Sequence, residues 1–190
     1  AASFDGTGYI AVPDHPDWDL SVGSVDFWLR LDAHPGEGAD SLGIVSREAH
    51  LSPTAGHLTL LVVEGGEMVL RIQDETPLSS IRCTSAPVPL DRWVRVGINF
   101  GEPGVELWVD GALQARTDGA VLFRSESTLD WLECGLDEWT GTIAGNDQPW
   151  VLGAHLIFAD SGGHTPARGH LDGAIDHFRI SSAPRAHAPP

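Results

Sequence analysis

Residues 92–100 read RWVRVGINF, and apolar residues take every second position of this stretch. These positions are Val94, Val96, Ile98 and Phe100. Because successive side chains of a β-strand point to opposite faces, a period of two predicts a strand with one buried face. The same pattern occurs in residues 24–32, SVDFWLRLD, and in residues 105–109, VELWV. Working outward from 92–100, the chain therefore reads as a series of half-buried strands.

Glycine-containing turns separate these strands. Asp110-Gly111 lies between ELWV and ALQAR, and Gly65-Gly66 lies between LTLLVVE and EMVLRIQ. Both pairs tolerate positive φ angles, which two-residue hairpin turns require. No stretch carries an apolar stripe at helical spacing. Many short strands joined by tight turns predict an all-β fold, an antiparallel two-sheet β-sandwich.

The composition restricts the class of protein. A chain of 190 residues with 42% hydrophobic residues suits one domain with a sizeable core. No apolar run approaches the roughly 20 residues that a membrane helix needs, so we expect no membrane insertion. The formal net charge is −16, and all 11 basic residues are arginines. Such a surface repels phosphate backbones, which argues against nucleic acid as a partner.

The end of the chain and the two cysteines bear on the domain boundary and on a possible disulfide. Residues 183–190, APRAHAPP, have the composition of a linker. We therefore predict one domain over residues 1–182, within a larger multidomain protein. Cys83 and Cys134 fit no zinc-binding spacing. They form either one disulfide, which suits an oxidising compartment, or two separate buried thiols.

Several segments resemble the laminin-G-like jellyroll modules of the concanavalin-A-like lectin and glucanase superfamily. They follow the order of that family and span nearly the whole chain. The segments are FDGTGYIAV (4–12), SVDFWLRL (24–31), RWVRVGINF (92–100), VELWVDGALQAR (105–116), PWVLGA (149–154) and HLDGAIDHFRISSAPR (170–185). The resemblance implies a concanavalin-A-like jellyroll. It does not fix a function, because this fold carries lectins, adhesion modules, glycosidases and lyases.

The resemblance also implies a structural Ca²⁺ ion, held by an aspartate of the last strand and by the N-terminal segment. The matching aspartate is Asp176. Alternation with Ala174, Phe178 and Ile180 predicts that it points inward. A buried carboxylate is costly without a partner, and calcium would supply one; an arginine or backbone N–H groups would do so as well. Asp5 is a second candidate ligand, or else a turn-capping residue before Gly6.

Two long segments interrupt the strand pattern, residues 119–147 and residues 155–170. Irregular segments on a rigid β scaffold often carry function. Sugars stack on indole rings while their hydroxyls bond to neighbouring acids and amides, so these segments supply the candidate glycan-binding residues. The candidates are Trp131, Trp139, Asn146, Asp147, Asp160 and His164.

Catalytic patterns fit the sequence poorly. The nearest match to the paired-carboxylate strand of the superfamily's glucanases is Glu133-Cys-Gly-Leu-Asp137-Glu138, and its spacing is wrong. We therefore predict no enzyme but a calcium-stabilised binding module for a glycan or a protein surface, extracellular or at a cell surface. The alternatives are a polysaccharide-active glycoside hydrolase or lyase, and a structural spacer that binds nothing.

Overall fold

The computed structural model describes residues 1–48, 56–73, 79–102, 104–125, 128–137, 142–146, 148–156 and 167–187. These residues form sixteen strands and one 3₁₀ helix, Pro16–Trp18, without an α-helix. The strands are β1 (Ala2–Asp5), β2 (Ile10–Val12), β3 (Gly23–Leu31), β4 (Leu42–Arg47), β5 (His57–Val62), β6 (Met68–Gln73), β7 (Ser79–Cys83), β8 (Trp93–Phe100), β9 (Glu106–Val109), β10 (Ala112–Leu113), β11 (Ala120–Ser125), β12 (Thr128–Glu133), β13 (Trp150–Leu152), β14 (His155–Leu156), β15 (Ala167–Arg168) and β16 (Asp172–Ser181). The all-β prediction is confirmed. In the described part of the chain, no helix has the length and apolar character to cross a membrane.

Two six-stranded antiparallel sheets form the sandwich. Sheet A has the spatial order β1-β16-β3-β8-β9-β10, and sheet B has the order β2-β13-β4-β5-β6-β7. The first and last strands are neighbours in sheet A, where Phe4 lies opposite Gly173. Sheet B contains the consecutive strands β4 to β7, together with β2 and β13. The predicted two-sheet jellyroll sandwich is therefore the observed architecture.

The alternating residues meet in one core between the sheets. From sheet A, Phe27 and Leu29 face inward with at most 1% of their surface exposed. From sheet B, Leu58, Leu60 and Leu70 meet them in the same cluster. Burying side chains of this size stabilises by roughly 1.5–3 kcal/mol each. The period of two in the sequence thus gave the correct inner faces.

The predicted Asp110-Gly111 turn joins β9 to β10. Asp110 has a φ of 48° and Gly111 a φ of 79°. Positive φ at both central residues matches the right-handed twist of the flanking strands, which explains why this dipeptide suits the turn. The Gly65-Gly66 turn joins β5 to β6, where Gly66 donates its backbone N–H to the Val63 carbonyl. Both hairpins are confirmed.

A hairpin of β11 and β12 covers one end of sheet B on the face away from the core. Val121 and Leu132 pack there against Leu61 and Val69 in a second, smaller apolar cluster. A disulfide joins Cys83 of β7 to Cys134, at the end of the hairpin. The open question about the cysteines is thereby answered. The expectation of irregular structure over residues 119–147 is wrong for this hairpin.

Residues 183–187 pack against sheet A, unlike the predicted linker. The Ser24 hydroxyl donates to the Ala183 carbonyl at 2.9 Å, and the Arg185 N–H donates to Asn99 at 3.1 Å. His187 is only 3% exposed. Its ring lies where a Cβ of residue 97 would stand, at 2.2 Å, so Gly97 is what allows it to pack there. The folded domain therefore extends at least to residue 187.

Arg47, at the end of β4, is a buried charge inside the sandwich. Its guanidinium forms an ion pair with Asp14 at 2.7 Å. It also donates to backbone carbonyls, those of Trp18, Ile143, Asn146 and Gln148. A buried charge is tolerated only when its donors are satisfied in this way. Arg47 therefore positions the segments that contain residues 14–18 and 142–148.

We predict that Arg47→Met lowers the free energy of unfolding by about 3–5 kcal/mol, because it leaves Asp14 and several buried carbonyls without their donor. The matched control is Arg92→Met, which removes an exposed ion pair with Asp110 and should cost about 1 kcal/mol or less. Urea unfolding of both variants measures the difference. Equal losses would contradict the structural role assigned to Arg47.

Candidate functional site

Six polar side chains lie together on the face of sheet B that points away from the core, beside the β11–β12 hairpin. The strand register pairs Ser46 with Thr59, Thr59 with Arg71, and His57 with Gln73. Glu48 follows β4 directly and continues the alternation of Ser46. We call this group the polar patch. Its members are Ser46, Glu48, His57, Thr59, Arg71 and Gln73.

The polar patch is more buried than the outer face of a sheet usually is. Ser46, His57 and Thr59 are at most 4% exposed, whereas Glu48, Arg71 and Gln73 retain partial exposure. Polar groups in such surroundings must find hydrogen-bond partners to avoid a desolvation cost. Ser46 finds one within the protein, since its hydroxyl donates to the Ala154 carbonyl at 3.3 Å.

The carboxyl group of Glu48 is electrostatically perturbed. Burial raises the pKa of Glu48 to about 7, and the nearby Arg71 guanidinium and a hydrogen bond from Thr59 offset part of this rise. Near neutral pH the carboxyl group is therefore present in both protonation states. It can donate a hydrogen bond as an acid or accept one as a carboxylate.

Three atoms of the polar patch are buried without a hydrogen-bond partner. Within the described part of the chain, they are Glu48 Oε2, Arg71 Nε and Gln73 Oε1. Each such atom costs roughly 1–3 kcal/mol when it stays unpaired. Their chemistry is mixed, because Arg71 donates, Gln73 accepts and Glu48 can do either. Hydroxyl groups, which both donate and accept, are the complement of such a set.

The spacing of the patch suits a sugar ring. Neighbouring strands lie about 4.8 Å apart, and residues two positions apart on one strand lie about 6.7 Å apart. Arg71 and Gln73 are two positions apart on β6, and Thr59 lies on the adjacent β5. These separations are of the same order as the distances between hydroxyls of one or two pyranose units.

Of the six predicted glycan-binding residues, the structure describes two, Trp131 and Asn146. Trp139, Asp147, Asp160 and His164 lie outside the described residues. Trp131, on β12, is 62% exposed. Its neighbour in sequence, Leu132, packs into the cluster beneath the hairpin. Trp131 is thus carried on the hairpin with its indole open to solvent.

Asn146 has an internal role. It is 3% exposed, and its amide donates to the carbonyls of Arg47 and Gly56 at 3.0 and 3.1 Å. Its side-chain oxygen accepts from the Gln148 N–H at 2.9 Å. The amide that the sequence suggested for a ligand is therefore engaged in holding its own loop.

Asp176 faces away from the core, contrary to the predicted inward orientation. A β-bulge between Asp176 and Arg179, with His177 at a φ of 50°, shifts the alternation by one residue. Ile175 and Phe178 consequently both face the core, while the Asp176 side chain is 35% exposed. Its neighbours are nitrogen groups, namely the Ala1 nitrogen at 3.2 Å and the His177 N–H at 2.8 Å. The backbone N–H of His177 is thus a partner of the Asp176 carboxylate, as in one of the alternatives that the sequence left open.

Asp5 lies at the end of β1. Its carboxylate accepts from the Thr7 N–H at 3.2 Å and from the Thr7 hydroxyl at 2.6 Å, and these bonds lower the pKa of Asp5. This is the turn-capping arrangement that the sequence offered as one alternative. The register also places Asp172 directly opposite Asp5. Two carboxylates therefore face the same side of this sheet edge, beside a pocket of about 350 Å³.

The described part of the glucanase-like segment is not one continuous strand. Glu133 ends β12, a turn follows at Cys134 and Gly135, and Asp137 forms an ion pair with Arg82 at 2.8 Å. Glu138 lies outside the described residues. A turn separates Glu133 from Asp137, so the two carboxylates do not alternate along one strand as a glycosidase pair would.

Solved structures share the fold. The CBM40 module of the IT-sialidase from Ruminococcus gnavus, bound to α2,3-sialyllactose, matches with a TM-score of 0.65 and 13% identity, over 98% of this chain and 90% of that chain. Domain 4 of AbnA, an extracellular GH43 arabinanase from Geobacillus stearothermophilus, in complex with arabinotriose, matches with a TM-score of 0.58 and 14% identity, over 94% and 68%. Domains LG4-5 of the mouse laminin α1 chain match with a TM-score of 0.58 and 12% identity, over 99% and 46%.

These likenesses show the fold alone, because the identities are low. No curated protein sequence matches the chain. A family model, Laminin_G_3, described as the concanavalin A-like lectin/glucanases superfamily, matches residues 4–188. That range contains nearly all of both sheets and the packed end of the chain, and it agrees with the motifs in the sequence. The chain therefore belongs to the concanavalin A-like lectin/glucanase superfamily.

Proposed function

We propose that this chain is a non-catalytic module that binds a glycan at the polar patch of sheet B. The observation that carries the proposal is the set of three buried, unpartnered atoms on Glu48, Arg71 and Gln73. Natural proteins rarely leave such atoms unsatisfied, and those that remain often mark a functional site or an unplaced partner. Sugar hydroxyls would satisfy all three.

The similar structures support this class of function. They include a carbohydrate-binding module bound to sialyllactose and a domain of an arabinanase in complex with arabinotriose. Laminin LG domains share the same fold, so a protein surface is the competing ligand. The mixed donors and acceptors of the polar patch favour the glycan.

The patch also argues against glycosidase chemistry. Among the residues that the structure describes, it contains a single carboxyl group, that of Glu48, whereas most glycosidases use two carboxyl groups roughly 5–9 Å apart. A carboxyl group with a pKa near 7 would suit a general acid, and this is the one feature that favours a hydrolase or lyase. In a glycan-binding module, the Glu48 carboxyl group would serve as a hydrogen-bonding group.

We also propose an extracellular setting within a larger protein. The Cys83–Cys134 disulfide is of a kind that persists in oxidising compartments. One similar structure is a domain of an extracellular enzyme, and it too is one part of a longer protein.

We further propose that calcium binds at the edge of sheet A near Asp5, with Asp172 as its cross-strand partner. Both are oxygen donors, which calcium prefers. In the described residues, no three or more His, Cys, Asp or Glu side chains are grouped to hold a metal. Backbone carbonyls and water would have to complete the coordination, as they commonly do for calcium.

The first prediction concerns glycan binding. On a glycan array, the wild-type protein should bind a defined set of glycans. Arg71→Gln should weaken binding to these by about tenfold or more, because a hydrogen bond from a charged donor is lost. Arg92→Gln, which lies on an exposed loop, is the matched control and should bind normally.

Two results would count against this proposal. If no glycan on the array binds, or if Arg71→Gln and Arg92→Gln bind alike, the polar patch is not the site. Release of reducing ends from a polysaccharide, abolished by Glu48→Gln, would show instead that the module is an enzyme.

The second prediction concerns pH. The folded state raises the pKa of Glu48 from 4.5 to about 7, so it keeps a proton that the unfolded chain loses. The stability that Glu48 contributes is therefore present below about pH 4.5 and is lost as the pH rises through about 7. Relative to Glu48→Gln, the wild-type protein should lose unfolding free energy between about pH 5 and pH 8.

Comparison of the two proteins isolates Glu48 from other titrating groups. Burial lowers the pKa of His155 to about 4, which gives both proteins an opposite slope between about pH 4 and pH 6.5. The contribution of His155 is the same in both proteins, so it cancels when their unfolding free energies are subtracted. Parallel curves for wild type and Glu48→Gln, from urea unfolding at each pH, would contradict the perturbed carboxyl group.

The third prediction concerns calcium. Binding to the folded state alone stabilises by about 2.7 kcal/mol at a hundredfold excess over Kd. Chelation should therefore lower the Tm of the wild-type protein by several degrees. Asp5→Asn should abolish this response, whereas Asp176→Asn should retain it. An unchanged Tm on chelation would show that calcium does not stabilise the protein. A response to chelation that is lost only in Asp176→Asn would place the calcium site at Asp176.

A further inference from the structure

The face of sheet A that points away from the core carries a second, separate polar surface. Its central row runs across three strands, since Trp28 lies opposite Asp176 on β16 and opposite Arg95 on β8. In the next row, Asp26 lies opposite Arg179 and Gly97. The two sheets face in opposite directions, so this surface is on the other side of the sandwich from the polar patch.

A pocket of about 150 Å³ opens within these rows. It is lined by Asp26, Phe27, Trp28, Arg95, His177 and Arg179. The β-bulge at His177 forms one side of it. Next to the pocket, the packed end of the chain covers Gly97. The His187 ring there is tilted against Trp108, with 5.9 Å between the ring centroids. The pocket is thus bounded by features fixed by the fold.

The cations of this pocket are unusual in the chain. Six other arginines form ion pairs with carboxylates: Arg30, Arg47, Arg82, Arg92, Arg116 and Arg185. Among the described residues, neither Arg95 nor Arg179 forms an ion pair. In a chain with a net charge of −16, carboxylates outnumber arginines. Two arginines that line one pocket without a carboxylate partner are therefore a specific local arrangement.

The acids near the pocket are already engaged. Asp26 is paired with Arg185 at 2.9 Å, and Asp176 accepts from the His177 N–H at 2.8 Å. Asp26 is the one carboxylate among the residues that line the pocket, against the two guanidinium groups of Arg95 and Arg179. The local balance is positive, in contrast to that of the whole molecule.

We infer that this pocket binds the acidic group, a carboxylate or a sulfate, of a charged saccharide, with Arg95 and Arg179 as its cationic ligands and Trp28 beside the sugar ring. The guanidinium group is planar and presents paired N–H donors, which match the two oxygens of a carboxylate or sulfate. An indole face supplies the apolar contact that sugar C–H groups use. The pocket volume suits one acidic group and part of its ring.

This inference does not depend on the function proposed for the polar patch. The two sites lie on opposite sheets, and their residues are different. Variants at one site should therefore leave binding at the other unchanged.

The test uses three oligosaccharides of matched length at low ionic strength: an oligogalacturonate, a heparin-derived sulfated oligosaccharide and a neutral cello-oligosaccharide. Isothermal titration calorimetry measures each with the wild-type protein and with Arg95→Gln/Arg179→Gln. Binding of at least one acidic oligosaccharide should weaken about tenfold or more in the double variant. Added salt should weaken it further, because the contacts are electrostatic. The acidic probe that binds identifies whether the pocket takes a carboxylate or a sulfate.

Two further variants keep the result interpretable. Arg92→Gln removes an exposed, paired arginine outside the pocket and should leave acidic binding unchanged. Arg179→Gln alone changes an exposed residue, so it should show a partial loss without a change in Tm, even if the double variant folds poorly. The inference is overturned if neither acidic probe binds, if the double variant binds as wild type does, or if only Arg71→Gln removes acidic binding.

Discussion

The buried guanidinium of Arg47 is the interaction on which this end of the sandwich depends. Its donors satisfy backbone carbonyls of segments that have no regular structure of their own. Without them, the loops around residues 14–18 and 142–148 would bury unpaired carbonyls or would have to leave the core. Only arginine presents several donors in one rigid plane, so lysine would not replace it. The next residue, Glu48, points to the opposite face of sheet B. By fixing the end of β4, Arg47 therefore also places Glu48 in the polar patch.

The inner faces of the strands were predictable from the sequence because burial imposes a period of two. Phe27 and Leu29 are core residues for the reason that their alternation indicated. The pairing of Cys83 with Cys134 was not predictable, because it depends on a hairpin folding back over sheet B. Asp176 was placed on the wrong face because a bulge inserts one residue into β16, and nothing in the residue types of GAIDHFRI distinguishes a bulged strand from a regular one. Local alternation determines faces only while the register is unbroken.

The polar patch escaped sequence reasoning for a related reason. β5 and β6 are apolar on both faces at one end, where Leu61 and Val69 meet the β11–β12 hairpin. They are polar on the outer face only at the other end, at Thr59 and Arg71. One half of each strand is therefore buried on both faces, whereas the other half is apolar on the inner face only. This change hides the period of two in runs such as HLTLLVV. The short motifs H-x-T and R-x-Q were the available signal, but two alternating polar residues acquire meaning only when the neighbouring strand is known.

The packing of residues 183–187 on sheet A has a consequence for how the module is presented. Gly97 admits the His187 ring, so the chain reaches residue 187 on the side of the sandwich opposite to the polar patch. A bead, a cell wall or another domain attached beyond this point would stand behind the module, and sheet B would face outward. The absence of a side chain at Gly97, in the middle of β8, is therefore what allows the chain to leave the sandwich on the side opposite to the polar patch.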